Sequence, residues 1–307
     1  MTYNYTSIVN SNGDLNLSSL LKLIQIRKKM FFALNIIFII CSMLFLFTLP
    51  NKYTSSAKLV PTAPESGLNS SSLAGLASLG GISLGSQQDL SEEAMIRIKS
   101  LGFFESLNLV EDMSVPIIAA KGWDRAKNKI IINRKKYDAN SGTWIRKPPA
   151  FRNQIPSVQE IHENFIKSLS LSKDRKSGVV TISVEHYSPY LAQKWLKNII
   201  IMINKIMRDE DISRYQRLSD YLQKELETAE FIEVRSSISK VLERNIEKIS
   251  FAKSSTDYVF KVMDPPTLPE KKSSPFRSLI LIGLMVISLF ISTLVIIFMN
   301  SKLKPST

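Results

Sequence analysis

Met30-Phe-Phe-Ala-Leu-Asn-Ile-Ile-Phe-Ile-Ile-Cys-Ser-Met-Leu-Phe-Leu-Phe-Thr-Leu49 runs for twenty residues without a charge, and Ser278-Leu-Ile-Leu-Ile-Gly-Leu-Met-Val-Ile-Ser-Leu-Phe-Ile-Ser-Thr-Leu-Val-Ile-Ile-Phe-Met299 for twenty-two. A helix rises about 1.5 Å per residue, so about twenty apolar residues cross a hydrocarbon layer of roughly 30 Å. A charge at the centre of such a helix costs on the order of 2.5–3.5 kcal/mol, which makes a clean run informative. A core helix of a soluble protein would show a polar face, and neither segment does. Both are read as transmembrane helices, at 30–49 and 278–299. The first is too long for a cleaved signal, whose apolar part is about 7–15 residues. It also ends Phe47-Thr48-Leu49-Pro50, without the small residues of a cleavage site. It is read as a retained anchor.

The flanking charges set the orientation. Lys22, Arg27, Lys28 and Lys29 precede the first segment, and only Lys52 and Lys58 follow closely. Cationic flanks stay in the cytoplasm, so the N-terminus is expected there. The flanks of the second segment are ambiguous. With two crossings the C-terminus follows the first, and the part between is exported. The formal net charge of +13 invites a nucleic-acid reading. An exported region seldom meets nucleic acid, and anionic lipid or glycan fits a basic excess better, unless the charge merely solvates more than two hundred exported residues. The single cysteine, Cys41, lies inside the first segment, so no intrachain disulfide is expected.

Working outward, three short stretches alternate like strands, near 53–60, 179–184 and 258–263. Tyr53, Ala57 and Leu59 share one face; so do Val180, Ile182 and Val184; so do Tyr258, Phe260 and Val262. The first follows one apolar segment directly and the third closely precedes the other. If they pair, they form a small base sheet at the bilayer surface, closed by residues far apart in sequence.

From Tyr190 to Asp264 there is neither glycine nor proline, and Ser188-Pro189 supplies a cap and a first-turn proline. Apolar residues then keep a three-and-four spacing to Ile249. One unbroken helix would be about 100 Å long. The stretch must leave one base strand and deliver another, so a helical arm over about 189–257 is expected to double back near Thr228 to Val234. Its seam, Leu218, Leu222, Leu226, Val234 and Ile238, is read as packing against itself or a neighbouring subunit. The glycine-rich 73–85 is read either as a loop packed on the base or as a soft patch at a subunit interface or membrane surface.

Two histidines, His162 and His186, and one cysteine make a poor set of zinc ligands. The sequence contains neither a phosphate-cradling Gly-x-x-x-x-Gly-Lys loop nor a Gly-x-Ser-x-Gly elbow. Carboxylates are dispersed beside Lys and Arg on helices, as on a solvated face. Neither catalysis nor a cofactor is expected. Trp123, Tyr137, Trp144 and Phe151 are interleaved with Lys121, Arg125, Arg134, Lys135, Arg146 and Arg152. Such aromatics stack on sugar rings or fill the core of a subdomain; the second reading is favoured, and Trp123 and Trp144 are the candidates for the first.

Four motifs carry a resemblance. Asp14-Leu-Asn-Leu-Ser-Ser-Leu-Leu-Lys-Leu23 leads into the first apolar segment, and Ala94-Met-Ile-Arg-Ile-Lys-Ser-Leu-Gly-Phe-Phe-Glu105 follows the glycine-rich stretch. His186-Tyr-Ser-Pro-Tyr-Leu-Ala-Gln-Lys-Trp195 opens the arm, and Asp264-Pro-Pro-Thr-Leu-Pro-Glu-Lys-Lys-Ser-Ser-Pro-Phe-Arg277 precedes the second segment. Together they resemble the bacterial polysaccharide co-polymerases, the Wzz-type chain-length determinants, over nearly the whole chain. The second apolar segment departs from the family in having only Gly283 where relatives often have several spaced glycines, which puts Gly-x-x-x-Gly packing of the helices in doubt. The resemblance implies an α+β membrane protein with two transmembrane helices flanking a periplasmic α/β base domain and its long helical arm. Residues 1–29 and 300–307 would be cytoplasmic and 50–277 periplasmic, in a bacterial inner membrane. It implies a homo-oligomeric ring that sets the modal length of a surface polysaccharide, O-antigen of lipopolysaccharide first. A separate polymerase would be its partner, and lipid-linked glycan a further candidate. The link 264–277, with Pro265, Pro266, Pro269, Pro275 and Arg277, would couple base to membrane as a stiff extended strap. The alternative reading is an export adaptor or a regulatory subunit of a separate tyrosine kinase.

Overall fold

A computed structural model describes residues 24–62 and 90–301. The glycine-rich stretch, the Asp14 motif and the tail beyond 301 lie outside the described residues. The chain divides into two compact units, 1–51 with 273–307, and 52–272.

In the first unit, α1 (Lys28–Thr48) and α8 (Arg277–Ser301) pack against each other, both long and apolar enough to cross a membrane. Glycine does not bring them together: a Cβ on Gly283 would meet nothing within 4 Å. Polar side chains do. Asn35 donates from Nδ2 to Ser292 Oγ at 3.0 Å and to Phe31 O one turn back, while Ser288 donates to Asn35 Oδ1 at 2.7 Å. All three side chains are buried. In an apolar pair each such bond replaces a polar group left unpaired. Arg277 Nη2 donates to Leu49 O and to Asn51 Oδ1, closing the ends of α1 and α8.

The second unit is built on a four-stranded antiparallel sheet. β1 (Tyr53–Pro61) lies between β7 (Val180–His186) and β8 (Phe260–Asp264), and β6 (Leu169–Lys173) adds the outer edge beside β7. The alternation works as the period of two requires. Ala57, Leu59, Val180, Ile182, Val184 and Phe260 are buried on one face, while Ser56 and Ser183 bond across the other at 2.9 Å. The buried face packs on α6 (Pro189–Thr228), which begins with Ser188 accepting from Leu191 N. Around this core lie α2 (Leu90–Ile98), α3 (Leu101–Val110), α4 (Ser114–Ile118) and α5 (Val158–Ser168). Two small hairpins, β2 (Ala120–Asp124) with β3 (Lys129–Ile132) and β4 (Tyr137–Asp138) with β5 (Thr143–Trp144), complete the base.

The ladder of β8 starts two residues later than the alternation around Tyr258 implies, for a physical reason. Asn204 of α6 accepts on Oδ1 from the N–H groups of Val259 and Phe260 and donates to Phe260 O. Tyr258 donates to Asp211 Oδ2 at 2.6 Å. Both bonds draw the segment toward the helix before it reaches the sheet.

Candidate functional site

The arm is a helical hairpin. α6 leaves the base after Asp211, turns at Ala229–Phe231, and returns as α7 (Ile232–Ser254), packed antiparallel against it. Of the seam residues, Leu222, Leu226 and Ile238 are half-buried, whereas Leu218 and Val234 are 40% and 45% exposed. Tyr215 is held between cations, with Lys248 of α7 at 4.9 Å and Arg214 at 5.2 Å from its ring. At the turn Phe231 and Ile232 are largely exposed. The spacing rule did not single them out because Phe231 caps α7 and Ile232 opens it, off the stripe that runs along the arm.

The proline link is anchored in the second unit through its first residues. Thr267 N donates to Ser56 O at 3.3 Å, Ser55 donates to Thr267 O at 2.7 Å, and Gln193 donates to Pro266 O at 2.9 Å. Prolines 265, 266 and 269 donate nothing, so the Ser56 carbonyl and the side chains of Ser55 and Gln193 supply what a ladder would have. Pro275 and Arg277 belong to the first unit.

Trp123 and Trp144 stand in different hairpins, each among its own neighbours. Trp123 donates from Nε1 to Asn128 and lies edge to face with Tyr53 at 5.5 Å. Trp144 meets Tyr137 at 5.0 Å, and the Arg146 guanidinium lies over its ring. Arg146 is not a free cation: it is buried, paired through both terminal nitrogens with Glu160, and it donates to the backbone of Asn153 and Gln154. That guanidinium holds the Glu160 carboxyl below its usual range. The pair fastens the 147–156 loop onto α5, a role that became visible only once the fold brought the two residues together.

The histidines are structural. His186 donates from Nε2 to Pro116 O, accepts on Nδ1 from Ser188 N, and stacks on Trp195; burial pushes its pKa down. His162 donates to Lys99 O and packs on Phe104. Among the described residues no three His, Cys, Asp or Glu side chains gather to hold a metal ion. An open groove of about 790 Å³ lies between α2, α3 and α6, where Arg97 pairs with Glu93 and Glu210, and Arg214 with Asp211.

Residues 13–103 match the family model of the chain length determinant protein, Wzz. That span takes in α1, β1, α2, the start of α3, the Asp14 motif and all but the last two residues of the Ala94 motif. The chain is similar to a full-length bacterial polysaccharide co-polymerase at 13% identity, covering 93% of this chain and 98% of that one, with a TM-score of 0.40. It is similar to a fragment of WzzB, a polysaccharide co-polymerase from Salmonella Typhimurium, at 15% identity, covering 73% of this chain and 100% of the fragment, with a TM-score of 0.29. No curated protein matches the chain significantly.

Proposed function

We propose that this protein regulates the modal length of a surface polysaccharide, the O-antigen of lipopolysaccharide first, as an oligomeric inner-membrane scaffold working with a separate polymerase. The match of residues 13–103 to the chain length determinant family carries the reading. Two further observations support it. Among the described residues, two helices are long and apolar enough to cross a membrane. Among the described residues the buried groups His186, Glu160, Arg146, Asp211 and Tyr258 are engaged by backbone or by neighbouring side chains, as suits a scaffold. In this reading both termini are cytoplasmic and residues 50–277 are periplasmic. The arm residues Leu218, Leu222, Leu226, Val234 and Ile238 supply subunit contacts, and Pro265, Pro266, Pro269, Pro275 and Arg277 couple the base to the second helix.

The test is a gel ladder of glycan from deletion and complemented strains. Deletion leaves total polymer largely intact while the length distribution loses its mode and becomes broad and short. Abolition of the polymer, or an unchanged distribution, overturns the reading and favours an export adaptor.

A further inference from the structure

Tyr53, Trp123 and Tyr190 come from three separate elements, the first residue of β1, the hairpin strand β2 and the first turn of α6. They meet ring to ring. Tyr53 and Trp123 lie 5.5 Å apart at 78°, and Trp123 and Tyr190 lie 6.2 Å apart at 51°. None belongs to the hydrophobic core; Tyr53 and Trp123 are half-buried and Tyr190 is 47% exposed. Cations lie close to them in sequence. Lys52 pairs with Glu185 at 3.0 Å and lies 5.9 Å from the Tyr187 ring, and Lys121 and Arg125 are exposed on either side of Trp123. Edge-to-face contacts contribute about 0.5–1.5 kcal/mol each, which accounts for the rings finding one another. It does not account for three rings with polar handles being gathered at a cationic surface.

Covalent geometry gives the reason. Tyr53 follows the last residue of α1, Thr48, by five residues, and five residues reach at most about 18 Å. A helix that crosses the bilayer therefore holds Tyr53 close to the headgroup layer, where tyrosine and tryptophan rest with their rings among acyl chains and their polar groups in water. Lys and Arg at that depth meet lipid phosphates. We infer that Tyr53, Trp123 and Tyr190, with Lys121 and Arg125, form a lipid-docking patch that seats the folded unit on the anionic membrane surface where α1 emerges. The inference rests on the membrane reading of α1 given above. It assigns Trp123 to lipid rather than to the sugar ring considered for it from the sequence.

Bromine on an acyl chain quenches tryptophan only by contact, and the chain has three tryptophans, Trp123, Trp144 and the buried Trp195. Full-length protein carrying Trp144→Phe is reconstituted into phosphatidylethanolamine–phosphatidylglycerol vesicles with lipid brominated near the headgroup. A loss of emission is expected that is absent after a further Trp123→Phe, with aqueous iodide leaving that emission unchanged. Tyr190→Ser, at an exposed position that the core does not use, lowers the bromine quenching and lets iodide in. Quenching of Trp123 by iodide and not by bromolipid overturns the patch, as does quenching by neither, which would place Trp123 against a second copy or another protein. Protection from iodide that appears only when soluble glycan is added assigns Trp123 to sugar and overturns the patch too. Flotation of the vesicles separates the two readings. Protein that floats but fails the quenching test loses the patch alone, whereas protein that does not float loses the membrane reading with it.

Discussion

The first half of α6 and the arm it continues into carry the same apolar spacing but not the same burial. Up to Asp211 the inward residues Trp195, Leu196, Ile199, Ile203 and Met207 are no more than 2% exposed, packed on the sheet and its flanking helices. Past Asp211 α6 packs chiefly on α7, and Leu218 and Tyr221 of α6 and Val234 and Val241 of α7 are 40–58% exposed. Periodicity reports which face of a helix is apolar; the partner opposite decides how deep that face goes. Stability is therefore concentrated in the base, and the arm presents apolar surface at little structural cost.

The comparison breaks most visibly at Trp195. Trp195→Ala removes a fully buried ring and is expected to cost about 3–5 kcal/mol in denaturant unfolding of the full chain in mild detergent. Trp195→Phe should cost much less, because the indole Nε1 bonds no acceptor among the described residues. Next comes Asn204→Ala, which strands the buried N–H groups of Val259 and Phe260 and the Phe260 carbonyl. A loss on the order of 1–3 kcal/mol is expected, with faster amide exchange at those two residues than at the remaining residues of β8.

A smaller effect depends on pH. His186 is held neutral with its pKa below the ordinary value of about 6.5, so below that pH the unfolded chain takes up a proton that the folded chain does not. Stability is at its full value above about pH 6.5 and falls as the solution is acidified toward the folded pKa. Unfolding midpoints measured across this window should slope downward toward acid, and His186→Gln should flatten the slope.

The smallest change in stability is expected in the arm. Leu222→Asp, at a half-buried site, should shift unfolding by no more than about 1 kcal/mol. Yet it should weaken assembly by native mass measurement and shift the glycan ladder, if the seam joins subunits. Glu225→Gln, exposed one turn away, should change none of these readouts. A large loss of base stability from Leu222→Asp would show that the arm is part of the core after all.

Much of this architecture is readable in the sequence because the signals are local. The apolar runs at Met30 and Ser278, the alternation in β1 and β7, and the glycine-free arm with its turn need only neighbours a few residues away. What was not legible depends on distant partners. β6 is Leu-Ser-Leu-Ser-Lys, an alternation written in residues of modest strand preference, and only the edge of β7 makes it a strand. Arg146 looks like a free cation beside Trp144 until α5 brings Glu160 to it. Asn204 sits one place beyond the isoleucine stripe and shows its role only through β8. Of the surfaces weighed for function, the half-buried Trp123 and Trp144 were legible as aromatics, but not as members of separate clusters.

The Asn35 contact also bears on the order of assembly at the ribosome. Ser288 lies 253 residues beyond Asn35, and chains grow at roughly 5–20 residues per second. With α1 in the membrane, Asn35 therefore waits on the order of 10–50 s with only its own Phe31 carbonyl to bond. During that interval the folded unit is translated and can form its sheet, with β8 joining last. The emergence of α8 supplies both missing hydroxyls at once. Completion of the hairpin is thus the last step at which the Asn35 amide becomes fully bonded, and a chain truncated before α8 would lack both hydroxyl partners of that amide.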